Sequence, residues 1–113
     1  VHFWAARVES SRWDNANLVK LYLQYRPRGV EIISVALDDN PAMWKQAVGL
    51  DGMIWMNGSD LKGMDSGIVR LYLVNDLPAY FLLDAENRIV ACGVSFPEFR
   101  EKLAELTKKR KKK

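Results

Sequence analysis

Asn75-Asp76-Leu77-Pro78-Ala79-Tyr80-Phe81-Leu82-Leu83-Asp84 sets a proline directly before five apolar residues that end in a polar turn. Proline has no N–H to give to a ladder, so within a sheet it stands at a strand's first residue, on an edge or at a bulge. The stretch therefore predicts a strand opening at Pro78. The tertiary amide of an X-Pro bond narrows the trans preference to about 0.5–1 kcal/mol, so a cis peptide is accessible here. Proline statistics alone favour a trans bond closing a loop. The choice between them rests on the chain to either side.

Downstream, Asp84-Ala85-Glu86-Asn87 reads as a tight turn, and Arg88-Ile89-Val90-Ala91-Cys92 as the strand that pairs back in a hairpin. Ser95 and Glu98 then have capping-box spacing, with Pro97 in the first turn of a last helix. Phe99, Leu103 and Leu106 form its apolar stripe.

Upstream, Val1-His2-Phe3-Trp4-Ala5 reads as a buried strand interrupted only by His2. Ser11 and Asp14 are spaced as a capping box for a helix whose inner face is Leu18, Leu21, Tyr22 and Tyr25, stopped by Pro27 and Gly29. Val30 to Leu37 carries branched residues on both alternations, the pattern of a central strand covered on both faces. Asn40 and Pro41 open a second helix as N-cap and first residue, with Trp44, Ala47 and Val48 inward. Residues 49–63 read as a connection with an apolar centre at Ile54-Trp55. Asp65-Ser66 caps a third helix with Ile68, Leu71 and Tyr72 inward. The order βαβα, connection, αββα predicts an α/β sandwich, a mixed sheet with helices on both faces, ending in an antiparallel hairpin.

With 113 residues the chain is one domain by size, and its 49% hydrophobic and 27% charged shares are ordinary for a globular protein. No apolar run approaches the roughly 18 residues that span a bilayer. The chain begins on Val with a strand starting at once, so a fragment of a longer protein is expected, and the missing signal peptide leaves the compartment open. The net charge of +3 is local: residues 108–113 carry six positive charges, leaving 11 basic against 14 acidic residues elsewhere. We therefore expect a domain over 1–107 and a basic tail over 108–113. The plain reading of the tail is a solvated helix end, the other an anionic membrane surface or nucleic acid.

One cysteine, Cys92, excludes an internal disulfide or a cysteine-based metal cluster, and one histidine, His2, argues against a His-dependent triad or zinc site. Asp38, Asp39, Asp51, Asp60 and Asp65 sit at turns and caps where aspartate is expected anyway, so no metal site is expected. Trp4 and Trp44 read as core, while residues 53–64, with Met53, Met56 and Met64, read equally as core or as an apolar groove. No phosphate loop and no interleaved basic–aromatic pattern is present, so neither a cofactor nor nucleic acid is expected.

The chain resembles the thioredoxin-like domain of the TlpA/ResA type, among the peroxiredoxin-related thiol–disulfide oxidoreductases. Phe3-Trp4-Ala5 is similar to that family's Phe-Trp-Ala at the end of the first strand, and Asn17-Leu18 to its Pro-Asn-Leu, with Ala16 for the proline. Residues 31–38 resemble its second strand, Ser59-Asp60-Leu61-Lys62-Gly63 its inserted connection, and residues 71–84 its helix, cis-proline and strand. The resemblance implies a thioredoxin-like three-layer sandwich, a cis Leu77–Pro78 peptide, and a bacterial periplasmic or cell-envelope location, reached by a membrane only through a missing N-terminal region.

The family's Cys-X-X-Cys falls on Val8-Glu9-Ser10-Ser11. Thiol–disulfide exchange needs a thiolate activated at a helix N-terminus. Valine offers no nucleophile, and serine cannot form a mixed disulfide. The implied function is a redox-inactive binding or structural module, with no catalytic residues at Val8 and Ser11. An extended peptide or protein would be bound through Arg7, Val8, Glu9, Ser10, Asp76, Leu77 and Pro78. The alternative is an oxidoreductase or antioxidant protein working through Cys92 or through another domain. Cys92 itself is expected to be a small buried hydrophobe.

Overall fold

The computed structural model describes residues 1–72, 74, 77–92 and 95–111, the last four by backbone alone. The described elements are β1 (His2–Trp4), α1 (Glu9–Tyr25), β2 (Ile33–Ala36), α2 (Pro41–Asp51), β3 (Met56–Gly58), α3 (Gly67–Tyr72), β4 (Ala79–Leu83), β5 (Ile89–Cys92) and α4 (Phe96–Lys111). The sheet runs β3-β2-β1-β4-β5. β1 pairs parallel with β2, and β2 with β3, while β4 lies antiparallel to both β1 and β5. This is the mixed α/β sandwich that the order of elements predicts.

Side-chain alternation along β1 sorts the two cores. Trp4 joins Leu18, Leu21, Tyr22 and Tyr25 of α1, Ala47 of α2, and Phe99 and Leu103 of α4 on one face. Phe3 joins Leu37, Val74 and Phe81 on the other, where Ile68, Val69 and Tyr72 of α3 pack over them. Burying a side chain such as Leu or Phe contributes about 1.5–3 kcal/mol. A strand with both faces covered therefore anchors the fold. β1 is that strand.

Several local signals act as their chemistry dictates. Asn40 Oδ1 accepts from the Met43 N–H at 3.1 Å, with Pro41 opening α2. The hairpin turns on Asp84, whose Oδ1 accepts from the N–H groups of Glu86 and Arg88, and on Asn87 at φ 63°. The Ser95 Oγ accepts from the Glu98 N–H at 3.4 Å and donates to the Glu98 carboxylate at 3.1 Å. The Leu77–Pro78 peptide is cis, and β4 begins at Ala79.

Elsewhere the structure corrects the sequence. The expected connection over 49–63 contains β3, which pairs Ile33 with Met56, Ser34 with Asn57 and Val35 with Gly58. β2 is shorter than 30–37, and its two faces are covered unevenly: Ile32 and Ala36 pack in the first core and Val35 and Leu37 in the second, while Ile33 is exposed. Ser11 and Asp14 form no capping box: α1 starts earlier, Val8 stands at its N-cap, and no side chain caps it. Ser66 stands directly before α3, with its carbonyl accepting from the Val69 N–H at 3.1 Å and its hydroxyl donating to Asp60 Oδ2 at 2.6 Å. Leu71 points outward, and Val69 takes the inner place. Residues 53–64 divide: Met53 and Trp55 are buried, whereas Ile54, Met56 and Met64 are exposed.

Candidate functional site

β1 delivers the chain to α1 through Ala5, Ala6 and Arg7, and Asp38 at the end of β2 holds that loop. Asp38 is 3% exposed, and its two carboxylate oxygens lie 3.0 and 2.9 Å from the Ala6 nitrogen. Arg7 spans the same junction, with Nη1 donating to the Leu37 carbonyl at 2.6 Å and standing 3.6 Å from Asp38 Oδ1. The Leu37 N–H donates back to the Trp4 carbonyl at 2.7 Å. A buried carboxylate is tolerated only when its lone pairs are used. Here they fix the entry to α1.

At the helix start the amides lack partners from a preceding turn and present partial positive charge. Val8 is half-buried, and Glu9 and Ser10 are exposed. Ser11 is fully buried, its Oγ accepting from the Ala5 N–H at 3.4 Å. The helix end thus has the electrostatics that would lower a thiol's pKa, and no thiol stands on it. Ser10 Oγ donates to the Leu77 carbonyl at 3.3 Å, joining the α1 entry to the residue before Pro78. One turn on, Asp14 Oδ2 accepts from the Tyr80 hydroxyl at 2.7 Å. Burial first, and then Asp14, push the Tyr80 hydroxyl pKa upward, so it stays a donor.

Of the residues named from sequence, Ser10, Leu77 and Pro78 are brought together, with Val8 and Glu9 on the adjoining first turn. Arg7 is turned to the β2 end, and Asp76 lies outside the described residues. Trp13 is 76% exposed, three residues after Ser10 and so on the same side of α1. In the sequence it is one of four tryptophans that could line an apolar groove. Its signal was that spacing from Ser10. Cys92 is exposed, contrary to the buried hydrophobe expected, because β5 is an edge strand. It pairs with Phe81, which is hydrogen-bonded to Val1, and so lies level with the start of β1 and away from the end that feeds α1. The aspartates weighed as metal ligands hold loops instead: Asp38 as above, Asp51 through Arg12 and Asn15, and Asp60 through Ser66 and the Lys62 N–H.

A thiol-disulfide oxidoreductase from Bacteroides fragilis superposes with a TM-score of 0.86 at 26% identity, covering 93% of this chain and 77% of that one. The chain has a thioredoxin-like fold. A thioredoxin-like protein from Bacteroides vulgatus matches at 27% identity and TM-score 0.79, over 96% of this chain and 72% of its own. The thioredoxin domain of a thiol-disulfide oxidoreductase, also from Bacteroides vulgatus, shares the fold at 24% identity and TM-score 0.84, covering 94% and 76%. No protein-family model and no curated protein matches the chain. This thioredoxin-like domain has the framework of its oxidoreductase neighbours, with a single cysteine and hence no cysteine pair. Among its described residues no helix is long and apolar enough to cross a membrane.

Proposed function

We propose that this thioredoxin-like domain is redox-silent and serves as a binding or structural module of a bacterial cell-envelope protein. The observation that carries the reading is the start of α1, where Val8 supplies no nucleophile and Ser11 is buried against the Ala5 amide. Exchange would need a thiolate to attack a disulfide sulfur and a second thiol to resolve it. Neither sulfur is there. What remains is a recognition edge for an extended peptide: the backbone at Leu77, the Ser10 hydroxyl and the exposed first turn of α1, with Trp13 beside it. The Leu77 carbonyl has two lone pairs, so the Ser10 hydroxyl leaves one for a peptide N–H.

The test is titration of the ¹⁵N-labelled domain with unstructured peptides that carry an apolar residue. Binding should move the amides of Ser10, Trp13, Leu77 and Ala79 together. Saturable binding that leaves these four unmoved contradicts the proposed edge.

The exposure of Cys92 favours a second reading, an oxidoreductase or antioxidant working through one thiol. A mixed disulfide formed there would need its resolving thiol from the partner or another domain. That reading requires an insulin-reducing activity that Cys92→Ser removes.

A further inference from the structure

β5 closes the sheet, and among the described residues only β4 pairs with it. Proteins protect such an edge with lysine, proline, an inward-pointing charge or a bulge. Ile89-Val90-Ala91-Cys92 carries no charge and no proline, and Ile89, Val90 and Cys92 are exposed. A bulge is present, and its effect here is to define a partner.

The hydrogen bonds fix which groups of β5 face outward. Phe81 gives its N–H to the Val1 carbonyl at 2.9 Å, and its own carbonyl accepts from the Val1 nitrogen at 2.8 Å. Both groups point to β1, so the residue opposite on β5, Cys92, turns its N–H and C=O away from β4. Leu83, two residues on, faces the same way as Phe81, and Ile89 opposite it therefore does as Cys92 does. The irregularity between Leu82 and Leu83 leaves Val90 as the extra residue beside Ala91, which is opposite Leu82. Outward-facing residues of a regular strand are two apart. Those of β5 are three apart.

A regular strand laid on this edge can meet Ile89 or Cys92, but not both. A strand with the same spacing meets both, and β5 of a second copy has it. With a twofold axis between Val90 and Ala91, Ile89 lies opposite Cys92 of the second copy and exchanges both main-chain bonds with it. Cys92 does the same with the second Ile89. Side chains agree with this register, since Ile89 and Cys92 share the face of Leu83 and Phe81. α4 runs antiparallel to β5, from Phe96 beside Tyr80 to Leu106 beside Val90. The axis thus carries the basic ends of the two α4 helices apart.

We propose that β5 is a self-association edge, on which two copies of this chain pair antiparallel and join their five-stranded sheets. The contact is isologous, so it closes at two copies. It is independent of the peptide edge at Leu77.

Thiols read the register. The unaltered chain has its thiol at 92, and Ile89→Cys with Cys92→Ser has it at 89 alone. Across the axis, 89 and 92 have Cα atoms about 5.5 Å apart, within disulfide range. The like pairs, 89 with 89 and 92 with 92, are about 10 Å apart and outside it. Mild oxidation of the two proteins together should give a disulfide dimer of unlike chains, at least about tenfold more of it than of either like dimer. Sedimentation equilibrium of the unaltered chain up to about 1 mM should fit monomer and dimer with nothing larger. Ile89→Lys, on the exposed edge and outside both cores, should raise the dissociation constant at least about tenfold. A monomer throughout that range, open-ended association, an unchanged constant in Ile89→Lys, or like dimers at the yield of the unlike one would each overturn the proposal.

Discussion

The two ends of β1 solve opposite problems with similar means. At the end that feeds α1, a buried acceptor, Asp38, consumes the Ala6 N–H and steadies Arg7. At the other end a buried hydroxyl, Ser34, consumes the Trp55 N–H and steadies His2. The first network closes on itself and positions a helix terminus that carries no cysteine. The second ends on His2 Nε2, a buried ring nitrogen without a partner among the described residues. The same strand thus anchors two buried polar networks, one complete and one with a ring nitrogen left over.

The largest expected change comes from restoring the chemistry at the first end. Val8→Cys with Ser11→Cys puts a thiol at the helix N-cap and a second one turn on, where the amides favour a thiolate. The double variant should form an internal disulfide on mild oxidation, read as a loss of two thiols in a free-thiol titration, Cys92 remaining. Failure to close that disulfide would show the α1 entry to be displaced from the geometry of its neighbours.

Stability separates the ends next. Ser34→Ala strands two buried groups, Trp55 Nε1 and His2 Nδ1, whereas Asp38→Ala strands chiefly the Ala6 N–H. Each buried group left unsatisfied costs about 1–3 kcal/mol. Urea denaturation should therefore rank Ser34→Ala below Asp38→Ala, with both below the unaltered domain. The reverse order would place the stronger network at the α1 end.

pH sharpens the comparison further. The His2 pKa is lowered from 6.5 to about 3 by burial, and secondarily by the Val1 amine. Between these values the unfolded chain holds a proton that the folded one excludes, so stability falls as pH drops from 6.5 toward 3. The slope is roughly 1 kcal/mol per pH unit. The difference in denaturation between the domain and His2→Phe, followed from pH 7 to 5, isolates this contribution. The buried Val1 amine, lowered from 8.0 to about 6, acts higher on the scale and is present in both proteins. Parallel curves would show that His2 is hydrated or paired in the folded state.

What the sequence displayed was the chemistry of short range. Pro78 before an apolar run, Asn40-Pro41, the Asp84 turn and the Ser95–Glu98 pair each act within a few residues, and each element stands where its signal lies. β3 was hidden because Met56-Asn57-Gly58 has no alternation of its own and becomes a strand by pairing with β2. The start of α1 was misread because its N-cap is a valine, which carries no capping signal. At the candidate site, the lack of a cysteine anywhere from Val8 to Ser11 was plain in the sequence. The Asp38 anchor was not, since its partner Ala6 is 32 positions away and meets it only through the β1–β2 register. His2 was legible only as a polar interruption. Its role depends on Ser34 opposite it and Trp55 beyond, a placement set by the sheet.

The central claim is that the domain keeps the framework of a thiol-disulfide oxidoreductase without its reactivity, and insulin reduction driven by dithiothreitol tests it most directly. The unaltered domain and Cys92→Ser should both precipitate insulin at the rate of dithiothreitol alone. A rate above that background in the unaltered domain would contradict the claim, and its loss in Cys92→Ser would assign the activity to that thiol.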